Sequence, residues 1–342
     1  MKFSVLTLTC CVLLGGCGQP IADNDLVKLR GQAMGTTWEV TLRELSENLS
    51  QDTLQTDIED TLESIEAIAS HWRTDTPVSQ FNRTLETQPF PAPSELLEML
   101  ETAQRINQIT DGAFDVTIAP LVNLWGFGPI EGNRGKTPSN EEIAKALEDL
   151  GQDKLQLLPD KGIRKTRAKL QIDLSALAKG YAIDQVAQRL DELGALHYLI
   201  ELGGELRAKG NGSKGKGWQV GLEHPEAEAN ATKNHRVITL TTGAVATSGN
   251  YRLAFNDPDT GQSYSHVIDP RTGKPVDNQL VAVSVIAPTA MEADAWATAL
   301  LVLGSEKGLQ LAEKESLSTV FVEEASSGIK VLTTKDLVHF KQ

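Results

Sequence analysis

Asp173-Leu174-Ser175-Ala176-Leu177-Ala178-Lys179-Gly180-Tyr181-Ala182-Ile183-Asp184 is where the chain changes character. An acidic residue precedes small and apolar positions at helical spacing, and the pattern runs over 177–193 until Gly194. That is a helix with a stop signal, and Asp173 reads as its N-cap. Beyond it the period changes to two. Strands are expected over 198–202, 218–222, 237–241, 264–268, 281–286, 319–322 and 329–332, with one mostly apolar helix, 292–303, among them. Before it the chain is helical: Leu54, Ile58, Leu62, Ile65, Ile68 and Trp72 share one face, as do Leu96, Leu97, Leu100, Ala103 and Ile106. Ser139 and Glu142 make a capping-box pattern, with Gly151 closing that short helix. Helices and strands do not alternate strictly. The fold class is therefore α+β, with a mainly antiparallel sheet and flanking helices.

The first residues read as an export signal. Met1-Lys2 is basic, 3–14 is an apolar run of about a dozen residues, and Leu14-Gly15-Gly16-Cys17 follows. Such a run is too short to span ~30 Å of hydrocarbon. The pattern resembles a lipobox, which makes Cys17 the lipidated first residue after removal of 1–16. Residues 17–28 then form a polar tether, and 29–342 one folded domain in one or two lobes. The expected location is the periplasmic side of a membrane. The three cysteines are Cys10, Cys11 and Cys17, so the domain itself has no disulfide and no thiolate chemistry. A formal charge of −14 argues against a nucleic-acid groove.

Polar or glycine-marked segments interrupt the core pattern. Gly31-Gln32-Ala33-Met34-Gly35-Thr36-Thr37-Trp38 suits either a strand start with a bulge or close approach to a ligand. Gly112-Ala113-Phe114-Asp115 offers an aromatic ring beside a carboxylate, or simply a packed loop after a helix. Lys179, early in a helix, is either a seat for phosphate oxygens or a solvated lysine. The segment Glu201-Leu202-Gly203-Gly204-Glu205 ends a strand with a glycine pair that permits close approach. His266, on an apolar strand before Asp269-Pro270-Arg271-Thr272-Gly273, is either structural or a base at a polar site. Asp294 and Thr298 share a helix face in apolar surroundings. A carboxylate there is a cap, or it binds a hard cation such as Mg²⁺ together with the hydroxyl.

Together and in this order, Ala33-Met34-Gly35-Thr36, Gly112-Ala113-Phe114-Asp115, the 173–181 run and His266-Val267-Ile268-Asp269-Pro270-Arg271-Thr272-Gly273 resemble the FAD:protein FMN transferase family (ApbE). The resemblance covers nearly the whole chain after about Gly31. It implies a T-fold architecture with FAD in a deep cleft. Carried onto this sequence, it implies Met34, Trp72, Ala113, Phe114, Asp115, Asp173, Lys179 and Ile268 at FAD. It implies Mg²⁺ on Asp294, Thr298 and the carbonyl of Ala176, and it leaves His266 as the candidate base. Some relatives carry a carboxylate where this chain has Ala297, so one ligand position is open. The implied reaction moves FMN from FAD to a Thr or Ser hydroxyl of an acceptor protein and releases AMP. The implied acceptors belong to membrane redox complexes such as sodium-pumping NADH:quinone reductase. That favours the inner membrane, although Gly18 rather than Asp after the lipid cysteine permits export to the outer one. Two other readings use the same residues: a Mg²⁺-dependent FAD pyrophosphatase, and a flavin-binding lipoprotein without turnover.

Overall fold

The computed structural model describes residues 26–44, 49–130, 136–158, 161–212, 215–223, 234–250, 254–257, 261–326 and 328–335. The expected signal, Cys17 and most of the expected tether lie outside these residues. Leu26–Lys28, read as the end of the tether, already belong to the first strand.

β1 (Leu26–Ala33) and β2 (Thr36–Arg43) form a hairpin whose tip is Met34-Gly35. Both tip residues have positive φ, 51° and 74°. The two glycines of this segment serve the hairpin. Gly31 pairs with Trp38, and a Cβ there would lie 2.6 Å from the indole nitrogen. α1 (Gln51–Ala69) begins at Ser50, whose hydroxyl accepts from the Thr53 amide. It ends at Ser70, so Trp72 is not part of its apolar face, and its side chain is exposed. α2 (Pro77–Arg83) and α3 (Ser94–Ile109) follow, then α4 (Ala119–Leu124) and α5 (Asn140–Leu147). The capping box of α5 is present, with both the Ser139 and Glu142 contacts made. Gly151 does not close it; it starts a separate 3-10 turn with φ 127°. The ribbon β3 (Leu155–Leu158) and β4 (Gly162–Lys165) leads into the loop before α6 (Ala178–Glu192), which stops at Gly194, φ 82°.

From there strands dominate: β5 (His197–Leu202), β6 (Glu205–Lys209), β7 (Trp218–Glu223), β8 (Asn234–Leu240), β9 (Thr242–Gly249), β10 (Ala254–Asn256), β11 (Ser263–Ser265), β12 (Ile268–Asp269), β13 (Lys274–Pro275) and β14 (Leu280–Ala287). α7 (Ala290–Lys314), β15 (Ser318–Ala325) and β16 (Gly328–Thr333) complete the described chain. α7 is twice as long as the expected 292–303 and is interrupted at Gly304, φ 78°.

The main sheet has eight strands in the order β1-β2-β5-β6-β9-β14-β15-β16, each pair antiparallel. Its two faces follow from the period of two. On β14, Val283 and Val285 join the larger core beneath the helices, while Ala282 and Ile286 join a second core on the opposite face. α1, α6 and α7 cover the first face. The β7–β8 hairpin covers the second with Trp218, Val220, Leu222, Ile238 and Leu240. A third small core under α4 and α5 holds Leu121, Trp125, Ile143 and Ile268. Trp125 donates through its indole nitrogen to the Gly273 carbonyl at 2.8 Å, pinning the Asp-Pro-Arg-Thr-Gly turn to α4.

Candidate active site

A cavity of ≈ 460 Å³ opens where the loop after α3, the loop before α6, and β6, β9, β12 and α7 meet. Its walls include Trp72, Ala113, Phe114, Asp115, Asp173, Ala176, Lys179, His266, Ile268, Asp294 and Thr298. Eleven of the twelve residues expected at the FAD and cation sites or as base therefore converge. Met34 is the exception. It sits at the hairpin tip, where its amide donates to Glu66 at 2.8 Å, and it packs on the larger core rather than lining the cavity.

One end of the cavity is charged. The Lys179 ammonium stands 3.3 Å from a Glu205 carboxylate oxygen and 3.7 Å from Asp294. It is not a solvated lysine; 26% of its side chain is exposed. Burial works against its charge, but Asp294 and Glu205 outweigh burial and hold it above the usual lysine range. Burial raises Asp294, with Lys179 and the Gly180 amide (3.4 Å) pulling the other way. Burial also pushes Glu205 up to about 7, opposed by Lys179. Its second oxygen is buried without a hydrogen-bond partner. One ammonium thus serves two buried carboxylates, and the surplus negative charge is costly. One turn along α7, the Thr298 hydroxyl lies 3.0 Å from that of Ser248.

Among the described residues, no three His, Cys, Asp or Glu side chains cluster as a metal site. The donors available in this wall are carboxylates, hydroxyls and the backbone of Ala176. That all-oxygen set, with an unpartnered carboxylate oxygen beside it, fits a hard divalent cation.

Much of the remaining wall is apolar or aromatic: Phe114, Val116, Ile118, Val122, Phe127, Ile268 and Val302. Asp115 turns inward into its own loop, accepting from the Thr117 amide at 2.8 Å and hydroxyl at 2.7 Å, and burial raises it. Asp173 is not an N-cap. The N-cap of α6 is Leu177, without a side-chain bond, and Asp173 accepts from the Ser175 amide at 2.8 Å four residues earlier. That turn aims the chain at Ala176 and Lys179. His266 is not on a strand either. β11 ends at Ser265, whose hydroxyl accepts from the Val267 amide at 3.1 Å and bends the chain at the histidine. The ring makes a T-shaped contact with Phe127 at a centroid distance of 6.3 Å. Asp269 is engaged by Arg271 through both carboxylate oxygens, at 2.9 and 2.8 Å.

Two ionisable wall residues, His71 and Glu205, had no role expected from the sequence. His71 is buried, with Nδ1 3.3 Å from Asp173. Its position just past the end of α1 was the available signal. Glu205 follows the glycine pair and was quoted only as part of that turn.

The fold is that of solved flavin transferases. The flavin transferase ApbE of Vibrio cholerae superposes with a TM-score of 0.84 at 35% identity, covering 92% of this chain and 99% of that one. The apo flavinyl transferase ApbE of Pseudomonas stutzeri also gives 0.84 at 35%, covering 92% and 96%. The FAD:protein FMN transferase of Haemophilus influenzae is 37% identical over 91% of this chain and 92% of its own length. That of Vibrio cholerae is 36% identical over 96% of each. The ApbE family model matches residues 34–321, and the chain belongs to the ApbE family.

Proposed function

We propose that this flavin transferase moves FMN from FAD to the hydroxyl of a threonine or serine on an acceptor protein, releasing AMP. The observation that carries the reading is a single cavity whose walls hold a buried Asp294–Lys179–Glu205 group, apolar and aromatic side chains, and His266. FAD joins a flat apolar ring system to a pyrophosphate, and the cavity offers apolar walls for the first and the Lys179 ammonium for the second.

Phosphoryl transfer needs alignment and charge neutralisation more than covalent help. Phe114, Ile268 and Trp72 bind the flavin ring, and Asp173, braced by His71, orients it. Lys179 neutralises pyrophosphate oxygens. Asp294, Thr298 and the Ala176 carbonyl would hold Mg²⁺, and the ion would supply further charge neutralisation. The acceptor oxygen attacks the phosphorus on the riboflavin side. The bond from that phosphorus to the bridging oxygen breaks, and AMP departs with that oxygen. His266 takes the proton of the attacking hydroxyl.

The acceptors are subunits of membrane redox complexes of the sodium-pumping type. A lipid on Cys17 holds the enzyme on the periplasmic side of the inner membrane, within reach of them.

The test is incubation with FAD and a candidate acceptor, with and without Mg²⁺. A fluorescent acceptor band that survives denaturation, only with Mg²⁺, is expected. Free FMN without labelled acceptor would reassign the protein as a pyrophosphatase. Intact FAD under all conditions would leave only binding.

A further inference from the structure

Lys179 is shared between two carboxylates brought from β6 and α7. Neither contact, 3.3 Å to Glu205 nor 3.7 Å to Asp294, is as short as the ~2.7–2.9 Å of a committed charged pair. Glu205 keeps one buried oxygen with no partner. The lysine stem is flexible and its ammonium can reach either carboxylate without leaving the cavity. A divalent cation on Asp294 would repel an ammonium held this close. It would not need to expel the lysine to solvent, because Glu205 is already beside it.

We propose that Lys179 is an exchangeable counter-cation: without the divalent cation its ammonium neutralises Asp294, and when the cation binds in the absence of FAD it shifts onto Glu205. The inference rests on the cation reading above and deepens it. Glu205 is then a positioning residue, the second seat of the lysine. The exchange keeps the metal-free fold compensated. It also makes the lysine a competitor of the cation, while Glu205 lowers the cost of that competition.

The two residues therefore have opposite effects on cation affinity. Calorimetric titration of the full chain with Mg²⁺ alone, and thermal unfolding with and without EDTA, test this on wild type, Lys179→Met, Glu205→Gln and Asp294→Asn. Lys179→Met should bind Mg²⁺ roughly tenfold more tightly than wild type and lose more thermal stability in EDTA. Glu205→Gln should bind it roughly threefold or more weakly, because an amide cannot balance the displaced ammonium. Equal or weaker binding by Lys179→Met, or undiminished binding by Glu205→Gln, overturns the exchange. If Lys179→Met does not fold even with Mg²⁺, the Glu205→Gln titration decides. Asp294→Asn separates the two readings. If it binds Mg²⁺ as wild type does, the cation site itself is wrong. If it alone loses binding, the site stands and the exchange fails.

Discussion

Gly180→Ala should destabilise the protein and displace its charged site, although it replaces glycine by the best helix former. Gly180 is the third residue of α6, where the change to alanine gains at most ~1 kcal/mol in helix propensity. Against that stands the start of α7. A Cβ at Gly180 would lie 2.3 Å from the Ala290 carbonyl oxygen, 2.5 Å from its carbon and 2.6 Å from the Met291 nitrogen. Ordinary contact is ~3.5–4.0 Å, so the two helices must part by on the order of 1 Å. These are backbone atoms and cannot rotate aside. They are also tethered: Asp184 on α6 accepts from the Ala290 and Met291 amides, both at 2.9 Å. Overpacking of this kind costs ~1–3 kcal/mol, and strained tethers place it at the upper end. The net loss should be about 2 kcal/mol, or roughly 3 °C in Tm. Because the Gly180 amide also faces Asp294 at 3.4 Å, Mg²⁺ binding should weaken as well. Thermal and urea unfolding of purified variant and wild type check the first claim. A Tm equal to or above wild type would mean that propensity wins and that the close helix approach is not a constraint.

His266→Ala should slow transfer by ~10²–10⁴-fold while FAD affinity, read by flavin fluorescence quenching, stays near wild type; equal losses of both would make the histidine structural. His71→Ala should raise the FAD dissociation constant about tenfold by freeing the Asp173 carboxylate, and an unchanged constant would refute that bracing role. Lys165 donates to the Phe81 and Leu170 carbonyls, both at 3.0 Å, and burial pushes it down to about 8 from 10.5. The unfolded chain therefore binds more protons in that window, and this lysine makes stability rise as pH climbs from about 8 to 10.5. Lys165→Met should remove that rise, measured as urea midpoints across the window; parallel curves for the two proteins would refute it.

Local signals carried far into this fold. The α5 capping box and the Gly194 stop were legible because their partners lie within a few residues. β14 was legible because it is apolar on both faces. β9 was not. Its sequence Thr-Gly-Ala-Val-Ala-Thr-Ser-Gly has weak strand propensity, and it is a strand because β6 and β14 flank it. Its small residues Ala244 and Ala246 then let α7 lie close on that face. The β1–β2 hairpin was half hidden by Lys28, Arg30 and Glu39, which pair with one another on its exposed side. His266 was misplaced onto a strand because the short side chain of Ser265 bonds the Val267 amide and the ladder ends just before the histidine.

By itself the sequence determined the class of fold, the positions of most helices, and the chemical inventory: no thiol in the domain, hard oxygen donors and one well-placed lysine. Those properties depend on periods of two and 3.6 residues and on composition, which act locally. Only the tertiary structure decided that Lys179, Glu205 and Asp294 share one buried end of a cavity. Charge interactions depend on distance and burial, and both are set by which strand lies beside which and how closely α6 approaches α7. No stretch of neighbouring residues contains that information.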